Sequence, residues 1–196
     1  MTEVILASRS ASRIALLRAA GVAFEARTSG VDEETAKAAL LTERATPREI
    51  ADALAELKAL RIRAPGALVI GADQTLDIDG VLVDKAETLE EAGERLRRLR
   101  GRAHQLHSAV VVARDGAPIW REVKSATLYM RPFTGDFLDG YLARGGEALL
   151  GSVGCYQLEG EGIQLFDRVD GDYFTILGLP LTGLLDLLRR HGALQT

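Results

Sequence analysis

Short apolar runs, separated by turn residues and amphipathic stretches, set the reading of this chain. Val4-Ile5-Leu6-Ala7 is an unbroken apolar run of strand length. Ile14, Leu16 and Leu17 then predict a helix over Arg13–Ala20, with Gly21 in the position that stops one. Val22–Thr28 predicts a second strand, leading into the acidic loop Val31-Asp32-Glu33-Glu34. Thr46-Pro47-Arg48-Glu49 joins a cap, a proline in the first turn and a reciprocal glutamate, and so starts a helix that runs to about Arg61. Ala67–Ala72 is a further buried strand, ending on Asp73. Thr75–Ile78 and Val81–Val83 flank Asp79-Gly80, the dipeptide of a two-residue hairpin. Thr88 and Glu91 open a basic helix that closes at Arg100-Gly101. Gln105–Ala113 and Pro118–Ser125 read as strands paired around Asp115-Gly116, and Thr134 caps a helix through Arg144. A strand-rich segment, Ser152–Thr175, and a final helix, Thr182–Arg190, complete the pattern. Strand–helix units with inserted antiparallel hairpins predict an α/β (mixed α+β) chain.

Composition narrows the function classes. Apolar residues make up 47% and charged residues 27%, and 24 − 28 gives a net charge of −4. That balance excludes a disordered polyelectrolyte and argues against a nucleic-acid coat. The single cysteine, Cys155, excludes an internal disulfide. The apolar runs are too short for a membrane span, and no basic lead-in precedes the first of them. The expectation is one folded unit over residues 1–196, soluble and cytoplasmic, with no membrane or nucleic-acid partner.

Three constellations could carry chemistry. Ser8-Arg9-Ser10-Ala11-Ser12-Arg13 lies between a strand and a helix, where free N–H groups, hydroxyls and a guanidinium suit phosphate. The alternative is that Ser10 or Ser12 only caps the helix and Arg13 is solvated. Asp73 ends an apolar strand, the place where open α/β sheets put ligands, and could hold a metal ion or take a proton from water. It could equally cap the following turn. Asp32, Glu33, Lys58 and Lys85 are lone charges; Lys85 comes within reach of Asp73 if the hairpin folds back. Other signals fall away. No Walker A loop is present, and Gly160-Glu161-Gly162 lacks the third glycine of a dinucleotide fingerprint. His104 and His107 are three apart on a strand and face opposite sides, which speaks against zinc. Cys155 reads as a buried structural thiol, and Arg95–Arg100 as a solvated helix face.

Taken in order, the motifs resemble the Maf family of nucleoside triphosphate pyrophosphatases. Leu6-Ala7-Ser8-Arg9-Ser10-Ala11-Ser12-Arg13 through Leu17 is similar to the family's opening block L-A-S-x-S-P-x-R-x-x-L-L. Val31-Asp32-Glu33, Ala55–Ala59, Gly71-Ala72-Asp73, Asp84-Lys85 and Leu99–His104 follow, and then Gly154–Gly160 and Gly171–Pro180. The likeness runs from Leu6 to Gly192.

The resemblance implies a Maf/ITPase-like two-lobed fold, with a mixed sheet and a nucleotide cleft. It implies hydrolysis of the α–β phosphoanhydride with Mg²⁺ or Mn²⁺, with Asp73 as catalytic acid/base or metal ligand and Glu33 as a second ligand. Ser8, Ser10, Arg13, Glu33, Lys58 and Lys85 fall on substrate-binding positions, and Ser12, Gln74 and Glu159 on positions tied to substrate choice. Gln74 and Glu159 are like the 7-methyl-GTP branch, whereas the dTTP/UTP branch has Thr and Gln there. Ser12 matches neither branch, and Ala11 and Ala86 stand where the family has proline. A homodimer is implied as well. A nucleotide-binding regulator of septum formation and cell division, and a dTTP/UTP-specific pyrophosphatase, are the competing readings.

Overall fold

The computed structural model describes residues 2–195. Its centre is a seven-stranded mixed sheet in the order β2-β1-β3-β5-β6-β7, with β4 also paired to β3. These strands are β1 (Val4–Leu6), β2 (Glu25–Ala26), β3 (Leu68–Ile78), β4 (Val81–Val83), β5 (Ala103–Arg114), β6 (Ala117–Met130) and β7 (Phe166–Asp170). β1 runs parallel to β2 and β3, and the other pairings are antiparallel. The helices are α1 (Ala11–Ala19), α2 (Glu33–Thr42), α3 (Pro47–Arg61), α4 (Leu89–Leu99), α5 (Gly135–Gly145), α6 (Tyr173–Ile176) and α7 (Leu181–Arg190). No helix among the described residues is long and apolar enough to cross a membrane.

Side-chain alternation along β3 and β5 divides the core. Even-numbered residues of both strands feed two clusters on one face. Leu68, Ile70, Ala72, Val110 and Val112 pack with Leu17 of α1 and Leu184 of α7. Leu76, Ile78 and Leu106 pack with Leu96 of α4 and Leu138 of α5. Between the two clusters the stripe turns polar, at Gln74 and Ser108, which are cross-strand partners. On the opposite face Ala51, Ala55 and Ala59 of α3 lie on Ala109, Val111 and Ala113. Small residues let this helix come close. At Gly71 of β3 a Cβ would overlap the Ala55 carbonyl and the Ala59 amide.

Several local expectations hold. The capping box at Thr46–Glu49 starts α3 after Thr46, and Thr88 accepts from the Glu91 amide at the start of α4. Asp79-Gly80 and Asp115-Gly116 both take positive φ at hairpin turns.

Four expectations need correction. α1 begins two residues earlier than its apolar spacing suggests, because Ser10 accepts from the Arg13 amide and so caps it. The predicted second strand shrinks to Glu25–Ala26, for which β1 offers only Ile5 and Leu6 as partners. The acidic loop is the start of a helix: the Asp32 carboxylate accepts from the Thr35 amide and caps α2. Ser152–Thr175 contains one strand, β7, among 3₁₀ turns, with α6 at its end. There the chain packs on itself, and a side chain at Gly154 would overlap the Tyr156 ring.

Candidate active site

β3 has one edge that is paired at both ends and open in the middle. Pairing with β1 stops at Leu6↔Ile70, and pairing with β4 resumes at Leu76↔Val83. The backbone of residues 71–75 therefore faces a gap on that side. Into the gap open the Ser8–Ser10 loop with the first turn of α1, and the Asp84-Lys85 segment, forming a cleft of about 1120 Å³. Asp73 and Gln74 lie on its floor. Asp73 is thus not at a strand end as expected. β3 continues through it to Ile78, because β5 supplies a partner from Val69 to Asp77. What ends near Asp73 is the parallel part of the sheet, and that ending opens the site.

At one end of the cleft the charges are buried and tied together. Lys58 Nζ lies 2.6 Å from Asp73 Oδ1 and 3.0 Å from Glu33 Oε1. Lys58 and Asp73 are only 6% and 7% exposed. α3 supplies the lysine in its last turn, on the same face as Leu54 and Ala55, and the Gly71 contact brings that turn onto the strand. Arg13 is buried as well, and its Nε donates to the Gly178 carbonyl at 2.8 Å. Burial pushes its guanidinium below its ordinary pKa, against the pull of Asp73 and Glu33. Ser8 Oγ accepts from the Ser10 amide at 3.2 Å and from Arg13 Nη1 at 3.5 Å.

At the other end the lining is largely apolar. Leu106, Val153 and Ile176 border the cleft there, with the exposed Glu159 at its rim. Tyr156 also borders the cleft, its hydroxyl 2.7 Å from His104 Nε2. Desolvation lowers the His104 pKa to about 4, and burial raises the Tyr156 phenol well above its usual value.

Ser8, Ser10, Ser12, Arg13, Glu33, Lys58, Asp73, Gln74, Lys85 and Glu159 all border this single cleft. Asp32 does not; it caps α2. Lys85 is exposed near the mouth, brought there by the folded-back hairpin. His104 and His107 belong to different surroundings. His107 bonds Ser125 Oγ at 2.7 Å and Asp77 at 3.3 Å. Cys155 is buried and unpaired, 3.8 Å from Arg95 Nη1, and burial raises its pKa.

Two residues that sequence reasoning passed over shape the site. Lys37 Nζ sits 2.6 Å from both Glu34 and Asp84, linking α2 to the segment that carries Lys85. Burial opposes its charge, but Asp84 and Glu34 outweigh that and raise its pKa. No sequence signal marks Lys37. Ser108 does have one, as the lone hydroxyl inside an apolar strand.

The donor set suits a hard divalent ion. Asp73 and Glu33 converge on one ammonium, and among the described residues no group of three or more His, Cys, Asp or Glu could hold a metal by itself. An ion bound by two carboxylates would draw its remaining oxygens from water or phosphate, as Mg²⁺ commonly does.

A family profile described as Maf-like protein matches residues 3–191. A Caulobacter vibrioides protein named nucleoside triphosphate pyrophosphatase is 65% identical over 196 residues, covering 99% of this chain and 98% of its own. A Sphingopyxis alaskensis protein with the same name is 53% identical over 192 residues, 96% of this chain and 97% of its own. A Brucella abortus protein named 7-methyl-GTP pyrophosphatase is 47% identical over 191 residues, 96% of each chain.

Proposed function

The chain belongs to the Maf family, and on that premise we propose that it is a nucleoside triphosphate pyrophosphatase, splitting the α–β phosphoanhydride to give a nucleoside monophosphate and pyrophosphate. The observation that carries this reading is the charge set of the cleft. Arg13, Lys58 and Lys85 meet a carboxylate pair in one cavity of a protein whose net charge is −4. A triphosphate needs local cations of that kind.

The roles follow from the contacts. Arg13 is anchored through Nε to Gly178, which leaves further N–H donors of its planar fork for phosphate oxygens. Ser8 and Ser10 place their hydroxyls at the start of α1, where the Ala11 and Ser12 N–H groups are left for the same anion. Lys58 holds Oδ1 of Asp73, and Oδ2 has no hydrogen bond among the described residues. Oδ2 is the atom that takes a proton from the attacking water. Lys85 reaches in from the mouth and offsets charge on the departing pyrophosphate. Asp73 and Glu33 would hold Mg²⁺ or Mn²⁺, which supplies positive charge to the phosphate oxygens and acidifies a bound water.

The nucleobase occupies the apolar end, near Ser12, Gln74 and Glu159. Glu159 is an acceptor-only group when ionised and suits an edge bearing N–H donors, as guanine has. Guanine-type triphosphates, 7-methyl-GTP among them, are therefore preferred to dTTP and UTP. A single Maf-like domain over residues 1–196, a homodimer and a cytoplasmic location belong to the same reading and rest on the family.

A panel of GTP, 7-methyl-GTP, ATP, dTTP and UTP with Mg²⁺ tests it. The expected products are pyrophosphate and nucleoside monophosphate in equal amounts. Release of orthophosphate, or no turnover on any member of the panel, would refute the reading.

A further inference from the structure

Gln74 and Ser108 form the polar break between the two apolar clusters on one face of the sheet, and their hydrogen bonds fix which way the Gln74 amide points. Ser108 is fully buried, and its Oγ donates to the Thr175 carbonyl at 2.6 Å. A hydroxyl has one hydrogen, so toward Gln74 the Ser108 oxygen can only accept. It lies 2.9 Å from Gln74 Nε2. The carbonyls of Thr175 and Ile176 lie 3.1 and 2.9 Å from the same nitrogen. All three neighbours on this side are acceptors. Turning the amide over would set its carbonyl oxygen against three other oxygens and lose the Gln74 hydrogen bonds to all of them. The NH2 group must therefore face inward, and Oε1 faces away. Oε1 has no hydrogen bond among the described residues, and Gln74 borders the cleft.

We propose that Ser108, which does not itself border the cleft, is a positioning residue: with the Thr175 and Ile176 carbonyls it turns Gln74 so that Oε1 is the atom presented to the nucleobase. This rests on the reading above, in which the base lies at the apolar end. Gln74 Oε1 and the Glu159 carboxylate then offer that end two acceptors for the base edge. It selects bases whose edge carries N–H donors and rejects edges dominated by carbonyls, which would be left facing oxygen. Gln74 in isolation could present either polarity, so the selectivity is set one layer behind the wall.

Ser108→Ala removes one acceptor from the Gln74 NH2 and the donor to Thr175. The ratio of kcat/KM for GTP over UTP falls about tenfold, the worth of one buried neutral hydrogen bond, and the loss falls on KM for GTP more than on kcat. Ser108→Thr keeps the hydroxyl and restores the ratio. A ratio within twofold of wild type in Ser108→Ala, with a native melting curve, overturns the proposal. So does failure of a folded Ser108→Thr variant to recover the ratio. If Ser108→Ala does not fold, the wild-type protein decides through its ¹⁵N side-chain amide spectrum, with the Gln74 pair assigned by its loss in Gln74→Met. Slow exchange of that pair relative to the exposed Gln105 supports the inward NH2, and equally fast exchange overturns it. Absence of turnover by the wild-type enzyme would overturn the selectivity together with the proposed function. The amide exchange, measured without nucleotide, still reads the orientation by itself.

Discussion

At the end of the cleft proposed to take phosphate, Arg13, Lys58 and Asp73 are each more than nine-tenths buried and bonded to main chain or to one another. At the base end Glu159 is exposed, on a segment of 3₁₀ turns and glycines that carries no regular strand. The two ends answer different demands. Charges taken out of water cost several kcal/mol each unless partners are already in place, so a site for a polyanion must be assembled before the ligand arrives. A base edge is recognised by hydrogen bonds worth about 1–3 kcal/mol each, which an accessible loop can supply at little cost to the fold. Chemistry and selectivity should therefore separate under mutation.

The sharpest test is Asp73→Asn. It is nearly isosteric but leaves no carboxylate to take a proton, and turnover should fall about 10³-fold on every nucleotide, with a native circular-dichroism spectrum. A loss confined to one base would erase the distinction between the ends. Next come Arg13→Ala and Lys85→Ala, each expected to lower turnover by about 10²–10³-fold. They should differ in thermal unfolding: Arg13→Ala lowers Tm because a buried, bonded side chain is lost, whereas the exposed Lys85 leaves Tm near wild type.

The support beneath the base end can be read from stability. The His104 pKa lies near 4 in the folded protein against 6.5 for the free side chain. Between those values the unfolded chain binds the additional proton, so folding stability rises with pH from about 4 to 6.5 and is flat above. The full span is about 3 kcal/mol. His104→Phe removes that part of the pH slope in urea titrations; an unchanged slope would place the titration elsewhere. The smallest effect is expected of Glu159→Gln, which should shift the preference between guanine-type and uracil-type triphosphates by about tenfold, with total activity and Tm nearly unchanged.

Much of this architecture is legible in the chain because its signals are local. Thr46–Glu49, Asp79-Gly80 and Asp115-Gly116 each specify a turn or cap through their own side chains or φ angles. α2 was hidden because none of its residues is buried, so it has no apolar periodicity to show. Ser152–Thr175 misled because its apolar residues alternate like a strand, while close packing at Gly154 forces turns. The site residues stand in recognisable order, but their meeting point does not. The open edge at residues 71–75 depends on where β1 stops and β4 begins, and that is a property of pairing between distant segments. Lys37 likewise joins the site only through its pairing with Asp84, 47 residues away, beside its local partner Glu34.

Gly71 has a bearing on how such an enzyme could change over generations. Because its missing side chain lets the Ala55–Ala59 turn rest on β3, even one added methyl group would lever α3 outward and carry the Lys58 ammonium away from Asp73. The spacing of the reacting charges is thus written in main-chain contact, where drift has almost no room. The Glu159 side chain itself is exposed and under no such constraint. New substrates can be explored there by single substitutions while the hydrolytic machinery stays as it is, which makes the cleft evolvable at one end only.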